Sequence, residues 1–316
     1  MTRRGFFLFL LIFLGFFSYW YHRRDKDKNV YKIAIIKTAS HPALNAVVEN
    51  FIKEFQEKSD QKIIFIEKNA EGSITTADAI AQQLFHDGTI DLFFTVGTIA
   101  SQAILSKEFT RPIFFTAVSY PGKLGITASQ SNVCGIADSI SLDFLFQSVS
   151  SLFPQKKIGS LYTAGELNSI TMIEEMEQKA SQLHLFFTSL PINNETDIPL
   201  ALQALCKKVD IIVLPIDNTI ATSITLISKI SENYNIPLFL SDISLLKHGG
   251  IAATGTNYSK IGKKAAKLVY LIFQKKRIPS EIGFTQFEDK TLYINKSLFE
   301  KYISLHSLQG LSYKYL

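Results

Sequence analysis

Residues 91–124 read DLFFTVGTIASQAILSKEFTRPIFFTAVSYPGKL, and this stretch decides the fold. Leu92 to Val96 is an apolar, aromatic run short enough for a buried strand, and Gly97 ends it where the backbone must turn sharply. Thr98 stands where a helix N-cap belongs, and Ile99 to Leu105 carries the helix. Arg111-Pro112 breaks that pattern, and Ile113 to Ala117 forms a second apolar strand. Both strands end in small hydroxyl-bearing turns, at Thr98 and at Ser119. In an open parallel sheet such turns lie at the carboxyl ends of the strands, where ligands bind.

The same alternation runs outward in both directions. Upstream, Tyr31 to Ile36 is a mostly apolar strand, followed by the turn Thr38-Ala39-Ser40-His41-Pro42 and a helix from Ala43 to Lys58. Lys62 to Glu67 is a strand and Thr76 to His86 a helix; downstream, Cys134 to Ile136 is a short strand, and a helix runs from Asp138 to Phe153. A second half repeats the plan, with strands at Lys157–Tyr162, Leu185–Leu190, Asp210–Leu214, Pro237–Leu240, Ile251–Gly255 and Thr291–Ile294. Its helices are expected at Ile170–Leu183, Ile198–Cys206, Ile220–Tyr234 and Tyr258–Gln274. No glycine- or proline-rich linker divides the halves. The expected fold is therefore α/β: two Rossmann-like lobes with parallel sheets flanked by helices, joined by short crossings, with a ligand cleft between them. Residues 29–140 with 257–284 are assigned to lobe one, and 141–256 with 285–316 to lobe two.

Composition narrows the function. The 316-residue chain carries a mild net charge of +5 with no basic block interleaved with aromatics, which speaks against nucleic-acid binding. Cys134 and Cys206 match no metal or redox spacing and read as buried core residues. His41, His86, His184 and His248 have no spacing suited to a metal, and no phosphate-binding loop, dinucleotide fingerprint or nucleophile elbow is present. No cofactor is expected. Ser40 beside His41 invites a nucleophile reading, but no third group is indicated to orient the pair. At the amino terminus, Arg3 and Arg4 precede an apolar run from Gly5 to Phe17, the pattern of an export signal. Ser18-Tyr19-Trp20-Tyr21 is a poor cleavage site and no lipid-bearing cysteine follows, so residues 1–28 are read as a signal or, preferably, an uncleaved membrane anchor. Arg23, Arg24, Lys26 and Lys28 argue the other way, for a cytoplasmic body.

The turns after the strands make one set: Ser40-His41, Gly97-Thr98, Ala117 with Ser119, Glu166 with Asn168 and Ser169, Asp217-Asn218, and Ser241-Asp242. Helix N-termini there can hold a ligand carboxylate, and carboxylates opposite can hold an ammonium group, a combination that suits an amino acid. The alternative is that each residue caps its own helix.

At these turns the sequence resembles the substrate-binding proteins of bacterial ABC transporters that include tryptophan- and tyrosine-binding members. The resemblance is carried by Ser40-His41-Pro42-Ala43-Leu44, Asn69-Ala70-Glu71-Gly72, Phe115-Thr116-Ala117-Val118, and Asn132-Val133-Cys134-Gly135 with Asp138. It continues through Tyr162 with Glu166, Asn168 and Ser169, then Asp217-Asn218, Ser241-Asp242, Tyr258 with Gly262, and Leu292-Tyr293-Ile294-Asn295. Asn45, Tyr120, Thr98-Ile99-Ala100 and Asn257 depart from the family pattern. The resemblance implies a periplasmic-binding-protein type I fold that closes on a small solute, an amino acid and preferably an aromatic one. It also implies delivery to a membrane permease driven by a separate ATPase. On this reading Thr98 and Ser119 hold a carboxylate from lobe one, Asn168 and Ser169 touch the ligand from lobe two, and Asp217, with Asp242, pairs an ammonium. A sensing domain feeding a membrane signalling receptor is the rival use of the same fold.

Overall fold

Short apolar runs that end in a turn and then change to helical periodicity build most of this chain. The computed structural model describes residues 30–316 apart from 60, 109, 128, 129, 288 and 289. The expected anchor at Met1–Tyr21 lies outside the described residues, and among these no helix is long and apolar enough to cross a membrane.

The first half alternates β1 (Val30–Lys37), α1 (Pro42–Lys58), β2 (Lys62–Asn69), α2 (Ile74–His86), β3 (Leu92–Val96), α3 (Thr98–Leu105), β4 (Ile113–Val118) and β5 (Val133–Asp138). β3, β4 and β5 are buried along their whole length, as strands covered by helices on both faces must be. The second half continues with α4 (Leu142–Leu152), β6 (Ile158–Thr163), α5 (Leu167–Gln182), β7 (Phe187–Ile192), α6 (Ile198–Cys206), β8 (Ile211–Leu214), α7 (Asn218–Thr222), α8 (Ile224–Asn233), β9 (Leu238–Leu240) and β10 (Ala252–Ala253). The chain then returns through α9 (Tyr258–Lys275), β11 (Phe284–Phe287), β12 (Leu292–Ile294) and, near its end, β13 (Tyr313–Tyr315).

Two sheets result. The first is ordered β11-β5-β4-β3-β1-β2 and the second β13-β12-β10-β9-β8-β6-β7, all pairings parallel except β10 with β12. Strand order reverses between β1 and β3 in one sheet and between β6 and β8 in the other. Those reversals open a crevice at the carboxyl ends of the strands, the place where ligands bind in open α/β sheets. β11 joins the first sheet, so that sheet runs past the 257–284 segment assigned to lobe one. Three sequence expectations change. The helix expected over Ile220–Tyr234 is two helices divided at Ser223. β11 and β13 were not foreseen. Asp138 closes β5, and the helix expected to begin there starts at Leu142 behind a Ser141 cap.

α1 and α9 cover one face of the first sheet, with Phe51 stacked on Phe94 at 3.9 Å between ring centroids. Gly262 permits this close approach, because a Cβ there would lie 2.4 Å from the Val47 carbonyl oxygen. α2 and α3 cover the other face. Each fully buried large side chain of this kind contributes about 1.5–3 kcal/mol, which makes the sheets a rigid support for the turns at their carboxyl ends.

Candidate functional site

Two walls face each other across a narrow cleft that is partly open to solvent. The first wall comes from the turns after β1, β3, β4 and β5. After β3 the backbone reverses at Gly97 with φ 93°, and a Cβ there would meet Thr38 Oγ1 at 2.5 Å. That tight turn delivers the start of α3 into the cleft. Thr98 is the first residue of α3 and Gly97 its cap; the capping oxygen comes from Thr38, whose Oγ1 accepts from the Ala100 N–H at 3.1 Å. The remaining N–H groups of that first turn have no intrahelical acceptor and are free for an anion. Ala117 lines the cleft with φ 53°, where the β4–β5 register shifts between Thr116 and Val118. Left-handed backbone at a non-glycine residue is strained, and such strain concentrates at binding sites.

The second wall follows β6, β8 and β9. Asp217 is buried and its carboxylate is fully engaged by its own lobe. Oδ1 accepts from the Ile220 N–H at 2.9 Å and from Thr163 Oγ1 at 2.9 Å; Oδ2 accepts from the Thr163 N–H at 2.7 Å and from Ser169 Oγ at 2.5 Å. Glu166 is held just as fully: Asn218 gives it a backbone N–H at 3.0 Å and Nδ2 at 2.6 Å, and Thr219 gives an N–H at 3.0 Å and Oγ1 at 2.9 Å. Burial and the neighbouring Glu166 charge push the Asp217 carboxyl up to about 7. The helix-cap alternative describes Asp217 better than the ammonium-pairing expectation, since donors of its own lobe fill both oxygens.

One hydrogen bond joins the walls. His41 Nε2 lies 3.2 Å from Asn218 Oδ1. Because Asn218 Nδ2 is committed to Glu166, the amide oxygen faces the imidazole, and Nε2 must be the protonated nitrogen. Burial holds the His41 pKa down at about 4, so the ring is neutral at pH 7 and Nδ1 is a bare acceptor. Farther out, the Tyr120 hydroxyl donates to Glu175 Oε2 at 2.7 Å, a second tie between the lobes. Asp242 accepts from the Ser244 N–H at 2.8 Å and Ser244 Oγ at 2.7 Å, and burial raises its carboxyl to about 6, with a further push from the Asp138 charge. Asp138 accepts from the Tyr258 hydroxyl at 2.7 Å, and burial raises its pKa above the ordinary carboxylate range despite that bond and one from Ser119.

Of the residues expected from sequence, His41, Thr98, Ala117, Ser119, Asn168, Asp217, Asn218 and Asp242 line the cleft. Ser40 is exposed and bonds Asn45 Oδ1 at 3.3 Å; with His41 turned to Asn218, the two form no dyad. Gly97, Glu166 and Ser169 stand behind the wall and shape it. Asp138, Tyr258, Leu44, Ile216 and Leu245 line the cleft without having been singled out for binding. Asp138 had a readable signal, a lone carboxylate closing the apolar run Val133–Ala137. Among the described residues no group of three His, Cys, Asp or Glu could hold a metal ion.

The profile of the ABC transporter substrate binding protein family matches residues 32–307. A tyrosine-binding protein of Clostridioides difficile is 27% identical over 305 residues, covering 93% of this chain and 87% of that protein. A Streptococcus pneumoniae ABC domain in complex with L-Trp shares the fold at TM-score 0.83 and 23% identity, over 90% of this chain and 99% of that one. The ligand-free, open structure of a Clostridium difficile substrate binding protein with adhesive properties gives TM-score 0.65 at 26% identity, over the same 90% and 99%.

Proposed function

The chain belongs to the ABC transporter substrate-binding protein family, solute-binding proteins rather than enzymes, and from that premise we propose that it captures an amino acid and hands it to an ABC permease powered by a separate ATPase. The observation that carries this reading is the pairing of opposite chemistry across one cleft. The start of α3 offers unbonded N–H groups suited to a carboxylate, while Asp138 and Asp242 offer buried negative charge suited to an ammonium. Apolar side chains of Leu44, Ile216 and Leu245 line the same cleft and would take the ligand's side chain. The tyrosine-binding relative supports an aromatic preference. The His41–Asn218 bond joins the two walls and would form part of a closed arrangement of the lobes. Family members act outside the cytoplasm, and Met1–Tyr21 would tether the lobes there.

Native mass spectrometry of the freshly purified full-length chain tests the ligand class. A co-purifying or added L-amino acid that binds one to one is the expected result, with L-Tyr and L-Trp preferred. Selective binding of a sugar or a carboxylic acid without an amine would overturn it. Loss of uptake of that amino acid when the protein is deleted, restored by the wild-type chain, would test delivery to the permease.

A further inference from the structure

Far from the cleft, the second lobe ends in a pole formed by the amino ends of its strands. The turn from α5 into β7 runs there through Leu183 and His184 to Phe186. Phe186 is 73% exposed, against 41% and 40% for Phe284 and Phe85, the next most exposed phenylalanines among the described residues. Its neighbour Phe187 is half-buried, packed on Phe146 at 6.1 Å between ring centroids. Successive strand residues point to opposite faces, so Phe186 stands on the other side of the sheet, where Leu190 packs on the core farther along the same strand. Leu183, which follows α5, is exposed as well.

Lysines border this ring. The Ile158 N–H donates to the Phe186 carbonyl at 2.9 Å, which sets Lys157 beside Phe186 at the edge of the sheet. The Asp210 N–H donates in turn to the Lys157 carbonyl at 2.8 Å, which brings Lys207 and Lys208, just after α6, next in line. Lys156, Lys157, Lys207 and Lys208 are all exposed, and none forms an ion pair with a described residue. Asp210, the carboxylate among them, accepts from the Lys157 N–H at 2.8 Å through Oδ2. Glu232, in the last turn of α8, accepts from Ser228 Oγ at 3.2 Å. The negative end of the α6 dipole accounts for cations at Lys207 and Lys208. It accounts for neither Lys156 and Lys157, which precede a strand, nor an uncovered phenylalanine, which lowers solubility.

An apolar ring rimmed by unpaired cations marks a surface for a partner that is anionic outside and apolar beneath. A bilayer with anionic headgroups has that layering: lysines sit among the headgroups, and an aromatic ring enters the boundary with the acyl chains. We propose that this pole, Phe186 and Leu183 with the four lysines, rests on the anionic lipid of the membrane to which Met1–Tyr21 would tether the chain. The contact is independent of which solute the cleft takes. A tether keeps the patch at high local concentration beside the bilayer, so a contact too weak to recruit a free protein is still occupied. The chain enters the first sheet at Val30, the amino end of β1, and therefore at the pole of the first lobe. Contact at the second pole as well lays the molecule along the bilayer and keeps the cleft beside the membrane. An acidic protein matches the lysines; the layered match to lysines and ring together favours lipid.

Lysine footprinting of the full-length chain on vesicles tests the contact. The vesicles are phosphatidylcholine alone or phosphatidylcholine with phosphatidylglycerol, and acetylation is read lysine by lysine by mass spectrometry. Lys156, Lys157, Lys207 and Lys208 are expected to react severalfold more slowly on the anionic vesicles than on the neutral ones, with Lys263 and Lys267 of α9 unchanged. Added salt should erase the difference, because headgroup attraction is screened. Phe186→Ser should weaken the protection, and Lys207→Glu with Lys208→Glu should abolish it at Lys156 and Lys157. Both variants should melt like wild type, since they alter exposed side chains. Equal reactivity of the four lysines on the two kinds of vesicle would overturn the proposal, as would protection spread evenly over all lysines, the mark of general attraction by a chain of net charge +5. Flotation of the same samples separates the patch from the tether. A chain that floats with neutral vesicles but shows no protection on anionic ones keeps its tether and loses the patch. A chain that floats only with anionic vesicles, with the four lysines protected, keeps the patch and loses the tether.

Discussion

Asp217 and Asp138 are both buried carboxylates at the carboxyl ends of strands, on opposite walls of one cleft, and they are used in opposite ways. Asp217 receives two backbone N–H groups and two hydroxyls, from β6, α5 and α7, and so ties three elements of its lobe together. Asp138 receives hydroxyls from its surroundings and keeps one oxygen unbonded. The difference is that one carboxylate is saturated by its own lobe while the other keeps an open acceptor. Burial and a raised pKa are common to both, and only the count of donors from the protein separates them.

The strongest way to break this comparison is Asp217→Ala. Removing a carboxylate that satisfies four buried donors should cost about 3–5 kcal/mol, since each stranded buried group costs about 1–3 kcal/mol and some will find new partners. That corresponds to a fall in Tm on the order of 10 °C. Paired melts and ligand titrations would check it. A variant that melts like wild type but has lost its ligand would make Asp217 a ligand contact after all.

Asp242→Asn gives a smaller and pH-dependent effect, because Asn keeps an acceptor for Ser244 and removes only the charge. The Asp242 carboxyl is raised from its ordinary value of 3.8 to about 6. In the window between those values the folded state binds the proton and the unfolded state does not, so wild type loses stability as pH rises through it. Relative to wild type, the Asn variant should therefore gain on the order of 2 kcal/mol as pH is raised from about 4 to 6, and no more above that. Denaturant melts of both proteins across pH 4–8 would show it. A flat difference would mean that burial does not raise the Asp242 carboxyl.

The smallest expected effect comes from Thr163→Val, which keeps the shape and the backbone bond to Asp217 Oδ2 but deletes the hydroxyl bond to Oδ1. A hydrogen bond to a buried carboxylate is worth about 1.5–3 kcal/mol, and with Ile220 still bonded to the same oxygen the loss should sit near the low end. Ligand affinity should stay within a factor of about three. A large loss of affinity with unchanged stability would move Thr163 and Asp217 from scaffold to ligand contact.

The sequence by itself determined the alternation of strand and helix. Leu92–Val96 and Ile198–Cys206 occupy the bounds read from their apolar patterns, because hydrophobic periodicity and turn chemistry act over a few neighbouring residues. It also placed the polar turns at the carboxyl ends of the strands, which follows from parallel connectivity alone. Local pattern was silent where partners are remote. β11 and β13 are short strands defined by the sheets they extend, and Thr98 lost its capping role to Thr38, brought alongside by β1. Only tertiary structure decided which turn residues face the cleft and which are consumed within a lobe. Asp217 is satisfied by Thr163, 54 positions away, and His41 receives its tautomer from Asn218, 177 positions away. Asp and Asn read alike in any turn, and what each does is set by how many donors the rest of the chain brings within hydrogen-bond distance.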